Sequence, residues 1–198
     1  MPAERNYHIF YQLCSKAFPE LVKNELFLEH DPGLYNFINQ GMLTIDRVDD
    51  VQEMKDTQRA MDILLFTPAQ QLDLFKITAA VMHWGNQKWQ QKPREEQAEA
   101  NGQEECEKVA KLLGLEIDSF IMGLLKPKIK VGKEFVNKGQ NQIQVQNSCA
   151  ALSKAMYARA FNWLVVVCNE TLDVKTAKRA YFIGVLDIAG FETFEVCT

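Results

Sequence analysis

Along most of the chain apolar residues recur at intervals of three and four, the period of a helix with one buried face. Tyr7, Phe10, Tyr11 and Cys14 predict an amphipathic helix from Ala3 to Lys16, and Pro19 restarts a second short helix to about Leu28. His30-Asp-Pro-Gly33 is a turn signal, followed by an irregular or short extended segment from Tyr35 to Gly41. Val51, Met54, Met61, Leu64 and Leu65 predict a surface helix between Val48 and Phe66. Thr67-Pro-Ala-Gln70 then supplies an N-cap threonine, a proline at the first helical position and the glutamine of a capping box. The helix it opens turns Leu72, Phe75, Ile77, Val81 and Met82 inward and ends at Gly85.

Gln90 to Glu105 is the most polar stretch, with charges of both signs, and predicts a solvated loop. Short helices follow near Cys106–Leu113 and Asp118–Leu125, separated by Gly114. Lys126 to Asn141 alternates lysines with Ile129, Val131, Phe135 and Val136, which predicts a hairpin around Gly132-Lys133 rather than a helix. The longest helical pattern runs from Gln144 to about Leu172, where about 29 residues would span roughly 43 Å. After a polar turn from Asp173 to Arg179, Tyr181 to Leu186 is apolar without alternation, the pattern of a strand buried on both faces.

The net charge of −4 gives no support for a nucleic-acid partner. Against that acidic balance, Lys126, Lys128, Lys130, Lys133 and Lys138 form a local basic patch suited to steering an acidic partner. The five cysteines are scattered without a C-x-x-C, so they read as reduced cytosolic thiols rather than zinc ligands or a disulfide framework. His8 and His30 lack a Cys or His at ligand spacing and read as structural or solvated. The longest apolar run, Trp163 to Cys168, falls far short of the roughly 20 residues of a membrane span, and no signal peptide opens the chain, so a soluble intracellular protein is expected.

Candidate chemistry sits where the apolar run ends, in Asp187-Ile-Ala-Gly190. A carboxylate at the mouth of a buried strand can hold a cation-bound water, and a glycine three residues on lets the backbone N–H approach an anion. The same four residues also serve as ordinary strand-to-turn punctuation. The P-loop pattern Gly-x-x-x-x-Gly-Lys-Ser/Thr is absent: Pro127 stands five residues before Gly132-Lys133, and Glu134 follows. A GTPase is excluded because the nearest match to its guanine-reading Asn-Lys-x-Asp, Asn137-Lys-Gly-Gln140, ends in glutamine and lies upstream.

Tyr181-Phe-Ile-Gly-Val-Leu-Asp187-Ile-Ala-Gly190-Phe-Glu192 resembles the switch II element of myosin motor domains. Ordered matches continue upstream, through Glu4-Arg-Asn-Tyr-His-Ile-Phe-Tyr-Gln12, Phe37-Ile-Asn-Gln-Gly41, Arg94-Glu-Glu-Gln-Ala98, Val131-Gly-Lys-Glu134, Lys138-Gly-Gln-Asn141 and Ala155-Met-Tyr-Ala-Arg159. They cover residues 3 to about 195, and the pattern is most similar to the upper 50-kDa subdomain of a muscle-type, class II heavy chain. The resemblance implies a mainly α fold ending in one strand that, in the intact protein, joins the central sheet of a P-loop NTPase motor.

It also implies roles. Asp187 would hold Mg²⁺ through a water, the Gly190 N–H would bond the γ-phosphate of Mg-ATP, and Glu192 would pair with a switch I arginine. The lysine segment resembles the family's actin-binding surface loop, with Lys126, Lys128, Lys130, Lys133 and Glu134 as its actin-facing residues. Glu134 stands where some classes carry a phosphorylatable Ser or Thr, so a permanent negative charge would replace phosphate. The implied partners are actin filaments, the rest of the heavy chain and its light chains, in myosin filaments of the contractile apparatus; neither nucleic acid nor membrane is expected. Val196-Cys-Thr198 departs from the family after Glu195, so the chain is expected to be a fragment that alone neither binds Mg-ATP tightly nor hydrolyses it. Two functions follow: a segment of an actin-activated ATPase motor, or a non-catalytic actin-interaction module made from that segment.

Overall fold

The computed structural model describes residues 4–173, 181, 183–188 and 190. Helix α3 (Pro68–Asn86) is the axis of the core, with Leu74, Phe75, Ala79, Ala80, Val81, Met82 and Trp84 all buried. A helix apolar on most of its faces must be surrounded. Here α1 (His8–Cys14), α4 (Glu104–Leu113) and α6 (Gln142–Leu172) pack against it. α2 (Asp50–Ile63) covers α1 with Met54 and Met61, and α5 (Ile117–Leu125) touches both α4 and α6. The described strands form two antiparallel pairs, β1 (Trp89–Gln91) with β2 (Ala98–Ala100) and β3 (Lys128–Val131) with β4 (Glu134–Asn137). The fold is mainly α, as expected.

Helix starts follow the local chemistry. The Gln70 N–H donates to Thr67 Oγ1 at 3.3 Å while the Thr67 N–H donates to Gln70 Oε1 at 2.9 Å. Asn141 and Gln144 make the same reciprocal pair, at 2.9 and 3.0 Å, so α6 begins at Gln142 rather than Gln144. α6 runs 31 residues and ends at Leu172.

Several expectations change. The first helix is shorter than Ala3–Lys16, because Glu4 to Tyr7 are not helical: Arg5 reaches Asp50 at 2.6 Å and stacks on the Tyr11 ring. Tyr7, counted in the buried stripe, is exposed. The segment after Pro19 makes a wide π-type turn, Leu21–Glu25, instead of an α-helix. Gly85 does not end α3 but lies inside it, where the Phe37 ring would come within 2.7 Å of any Cβ. The stretch from Gln90 to Glu105 is only partly a solvated loop: β1 and β2 pair across it, Trp89 and Ala98 point into the core, and α4 begins at Glu104. Two inward side chains amid charged neighbours leave too little period-2 signal to read. His30 is structural, its Nδ1 3.0 Å from the Ser15 carbonyl oxygen.

Tyr181 to Leu186 takes no strand conformation at its described residues, which are almost fully exposed. A strand needs a neighbour to take up its N–H and C=O groups. Among the described residues none lies beside it.

Candidate functional site: the lysine hairpin and its neck

The lysine segment is a hairpin, as its alternation predicts. Lys128 pairs with Asn137, Ile129 with Val136, Lys130 with Phe135 and Val131 with Glu134. Gly132 has φ of 66° and Lys133 is not left-handed, the pattern of a two-residue turn that takes glycine first. Opposed residues share a face. One face therefore carries Lys128, Lys130, Phe135 and Asn137, and the other Ile129, Val131, Val136 and Glu134. Every residue of both strands is exposed, Phe135 at 69% and Val131 at 57%. Lys126 caps the end of α5, its N–H donating to the Met122 carbonyl at 2.8 Å, and the exposed Lys133 sits at the turn.

A lone two-stranded hairpin is marginal in water, so what fixes this one is its neck. The Lys138 N–H donates to the Pro127 carbonyl at 3.0 Å, and the Gln140 N–H to the Leu125 carbonyl at 2.9 Å. The Ala98 N–H donates to the Gln140 carbonyl at 2.8 Å, joining the neck to β2. Gln97 Nε2 adds bonds to the carbonyls of Ala98 (3.1 Å), Leu125 (3.2 Å) and Gln140 (3.4 Å). Gly139 makes room for that carboxamide, since a Cβ there would collide with Gln97 Oε1. Gln142 ties the start of α6 to Trp89 O at 2.8 Å and to Gln91 Oε1 at 3.1 Å.

Neither Gln97 nor Gly139 was singled out from the sequence as functional. The available signal was that Arg94–Ala98 and Lys138–Asn141 are separate motif matches, which the fold brings together. A second unread contact braces the core behind them. His83, 1% exposed, sits with Nδ1 2.7 Å from Glu105 Oε2 and Nε2 2.9 Å from the Leu26 carbonyl, while Lys108 Nζ holds Glu105 Oε1 at 2.8 Å. Burial pushes the Glu105 carboxyl up, but the bonds and charges of His83 and Lys108 outweigh it and hold the group below its ordinary value. Burial pushes the Cys14, Cys106 and Cys149 thiols up to about 12, so they stay protonated and inert.

Lys128, Lys130, Lys133 and Glu134 are thus brought together in one exposed hairpin, with Lys126 at its base as the cap of α5. Asp187 and Gly190 are exposed and have no hydrogen bond or ion pair to any described residue. Glu192 lies outside the described residues. The described residues do not by themselves fit Mg-ATP: among them no cluster of potential ligands stands beside Asp187. No described helix is long and apolar enough to cross a membrane.

Comparison with known proteins agrees with the motif pattern. The chain is 49% identical to Myosin-1 of Caenorhabditis elegans over 194 residues, covering 98% of this chain and 10% of that protein. It is 48% identical over 195 residues to Myosin-3 of Caenorhabditis elegans and to Myosin-3 of Caenorhabditis briggsae, with the same coverage. The chain therefore spans about a tenth of the length of these curated relatives. The family described as myosin head (motor domain) matches residues 1–198 throughout, and the chain belongs to that family.

Proposed function

We propose that this chain is the actin-facing and nucleotide-sensing part of a muscle-type, class II myosin motor, the upper 50-kDa region. The observation that carries the reading is the hairpin: an exposed, lysine-bearing element with bare apolar residues, held at its neck by backbone bonds to a packed core. Free apolar side chains at that density mark an interaction surface, and the lysines suit the acidic face of an actin filament. Switch II at Asp187, Gly190 and Glu192 would sense the γ-phosphate once the rest of the motor supplies the P-loop, switch I and neighbouring strands. In a motor of this kind Mg-ATP supplies the hydrolysis energy; light chains and filament assembly belong to the rest of the heavy chain.

The test is co-sedimentation of the full chain with actin filaments. Salt-sensitive pelleting that is lost when Lys128, Lys130 and Lys133 are all changed to glutamate supports the reading. Pelleting that survives all three changes assigns the contact to another surface. A binding-only module is the second reading, favoured by the fully exposed hairpin and by Asp187 having no hydrogen bond or ion pair to any described residue. Both readings expect no micromolar Mg-ATP affinity in the chain itself, so the two separate in a full-length heavy chain: Gly190→Ala should abolish the single-turnover phosphate burst if switch II senses the γ-phosphate, and should leave it unchanged if the segment only binds actin.

A further inference from the structure

A groove of about 640 Å³ lies between α1, the Phe37 turn and α6, away from the hairpin neck. Its walls are aromatic. Tyr7 stacks on Tyr157 with ring centroids 4.9 Å apart, Phe10 lies 5.3 Å from Tyr157, and Phe37 and Phe161 add two more rings. Ala150 and Ala158 leave the α6 side open because their side chains are too short to close it. Gly85 seats the Phe37 ring from behind.

Asn6, Asn162, Ser153 and Lys154 break this apolar lining, and the last two carry the argument. Ser153 is 3% exposed, lines the groove and has no hydrogen-bond partner for its Oγ. A buried hydroxyl is rarely left without a partner, so a missing acceptor or donor is the economical reading. Lys154 is the only charged residue in the lining, is exposed, and makes no ion pair with any described residue. Burial, with the nearby Tyr7, pushes the Tyr157 phenol up to about 12, which keeps it neutral beside an incoming anion.

We propose that this groove binds a small planar aromatic anion, an aromatic carboxylate or sulfonate, with its ring against Tyr157 and Phe10 and its charge at Lys154. Size fits, since ligand sites of roughly 300–1,000 Å³ with apolar walls and a few polar groups are typical. The sign of the charge comes from Lys154. A second groove of about 590 Å³, on the other side of α6, carries both Asp73 and Arg159 in its lining and has no such preference of sign. It serves as the internal control.

The experiment is a fluorescence titration of the full chain with 1-anilinonaphthalene-8-sulfonate, whose emission rises in apolar sites. One saturable site is expected. Lys154→Glu should weaken it by about tenfold, replacing attraction by repulsion. Ala158→Trp, at an exposed helix position, should abolish it by filling the groove, and Ser153→Ala should weaken it less than Lys154→Glu. Arg159→Glu, in the control groove, should leave it unchanged. Circular dichroism on each variant establishes that the helices are intact; if Ala158→Trp does not fold, the two exposed charge variants still decide. Equal affinity in Lys154→Glu and the parent overturns the proposal, as does binding lost only in Arg159→Glu. Sedimentation showing that a second copy of the chain fills the groove in the absence of probe overturns it too.

Discussion

Two apolar, β-prone stretches of this chain meet different fates. Lys128 to Asn137 folds into a paired hairpin, whereas the more apolar Tyr181 to Leu186 takes no strand at its described residues and lies almost fully exposed. Intrinsic preference favours the second, with more apolar side chains and no charge. What differs is the partner. The first stretch carries its own pairing strand across a two-residue turn and is then tied to β2 and α6 through Gln97, Gly139 and Gln142; the second has no strand beside it among the described residues. Strand formation is therefore a property of pairs rather than of segments.

The sharpest way to break that comparison is hydrogen exchange. Amides of the neck, above all Ala98 and Gln140, should be protected by about 10³-fold or more, the protection that a few kcal/mol of local stability gives. Amides of Ile183 to Leu186 should exchange near the unfolded rate in this chain and become protected in a longer motor domain that restores neighbouring strands. Protection of Ile183 to Leu186 in the chain by itself would show that the stretch finds a partner here.

The same contrast explains what could be read beforehand. The capping box at Thr67, the hairpin turn at Gly132 and most of the helical stripes are local signals, each complete within a few residues, and the fold honours them except at Tyr7. The β1–β2 pair was hidden because only Trp89 and Ala98 point inward along it. Gly85 looked like a helix end because its reason for being glycine, the Phe37 ring, is distant in sequence. Gln97 and Gly139 meet only after α5 and the hairpin have folded between them, and the His83–Glu105 clasp joins different helices with no local pattern. Of the candidate site, the hairpin lysines were legible as a set. The Asp187-x-x-Gly190 pattern was legible as a weak local signal that the family resemblance sharpened, and among the described residues nothing packs against it.

A smaller effect should come from Gly139→Leu. The new side chain displaces the Gln97 carboxamide, and loss of its three bonds should weaken the neck by about 1–3 kcal/mol, with the helical core intact. Faster exchange at Ala98 and Gln140 with an unchanged thermal midpoint is the expected result. An equal loss of stability throughout would mean that the neck and core unfold as one unit, which erases the distinction between anchored hairpin and scaffold.

The core can be perturbed separately from the hairpin through Glu105. Its carboxyl is held below the ordinary value of 4.5, so its contribution to stability is fully present above that value and is lost as the pH falls through the folded-state value. Thermal stability should drop as the medium is acidified below about pH 4.5, and Glu105→Gln should flatten that part of the acid limb. Hairpin chemical shifts should follow the lysine strands and not this transition. An unaltered acid limb in Glu105→Gln would remove the clasp from the account.

The smallest effect asks which face of the hairpin meets its partner. Register places Lys128 and Lys130 with Phe135 on one face, and Ile129, Val131 and Val136 on the other. If the charged face leads, Lys128→Glu should reduce actin affinity several-fold at low salt and by less at high salt, because screening removes both the attraction and the new repulsion. Ile129→Thr should then change affinity little at either salt. If the apolar face makes the contact, Ile129→Thr should weaken binding about equally at both salts, since burial of apolar surface is largely indifferent to screening over that range. Each substitution sits at an exposed strand position, and threonine keeps the β-branched shape, so pairing with Val136 should survive and nuclear Overhauser contacts across the strands can verify it. A salt-independent loss in Lys128→Glu, with Ile129→Thr silent, would fit neither face and would point to a distortion of the hairpin rather than to the charge it presents.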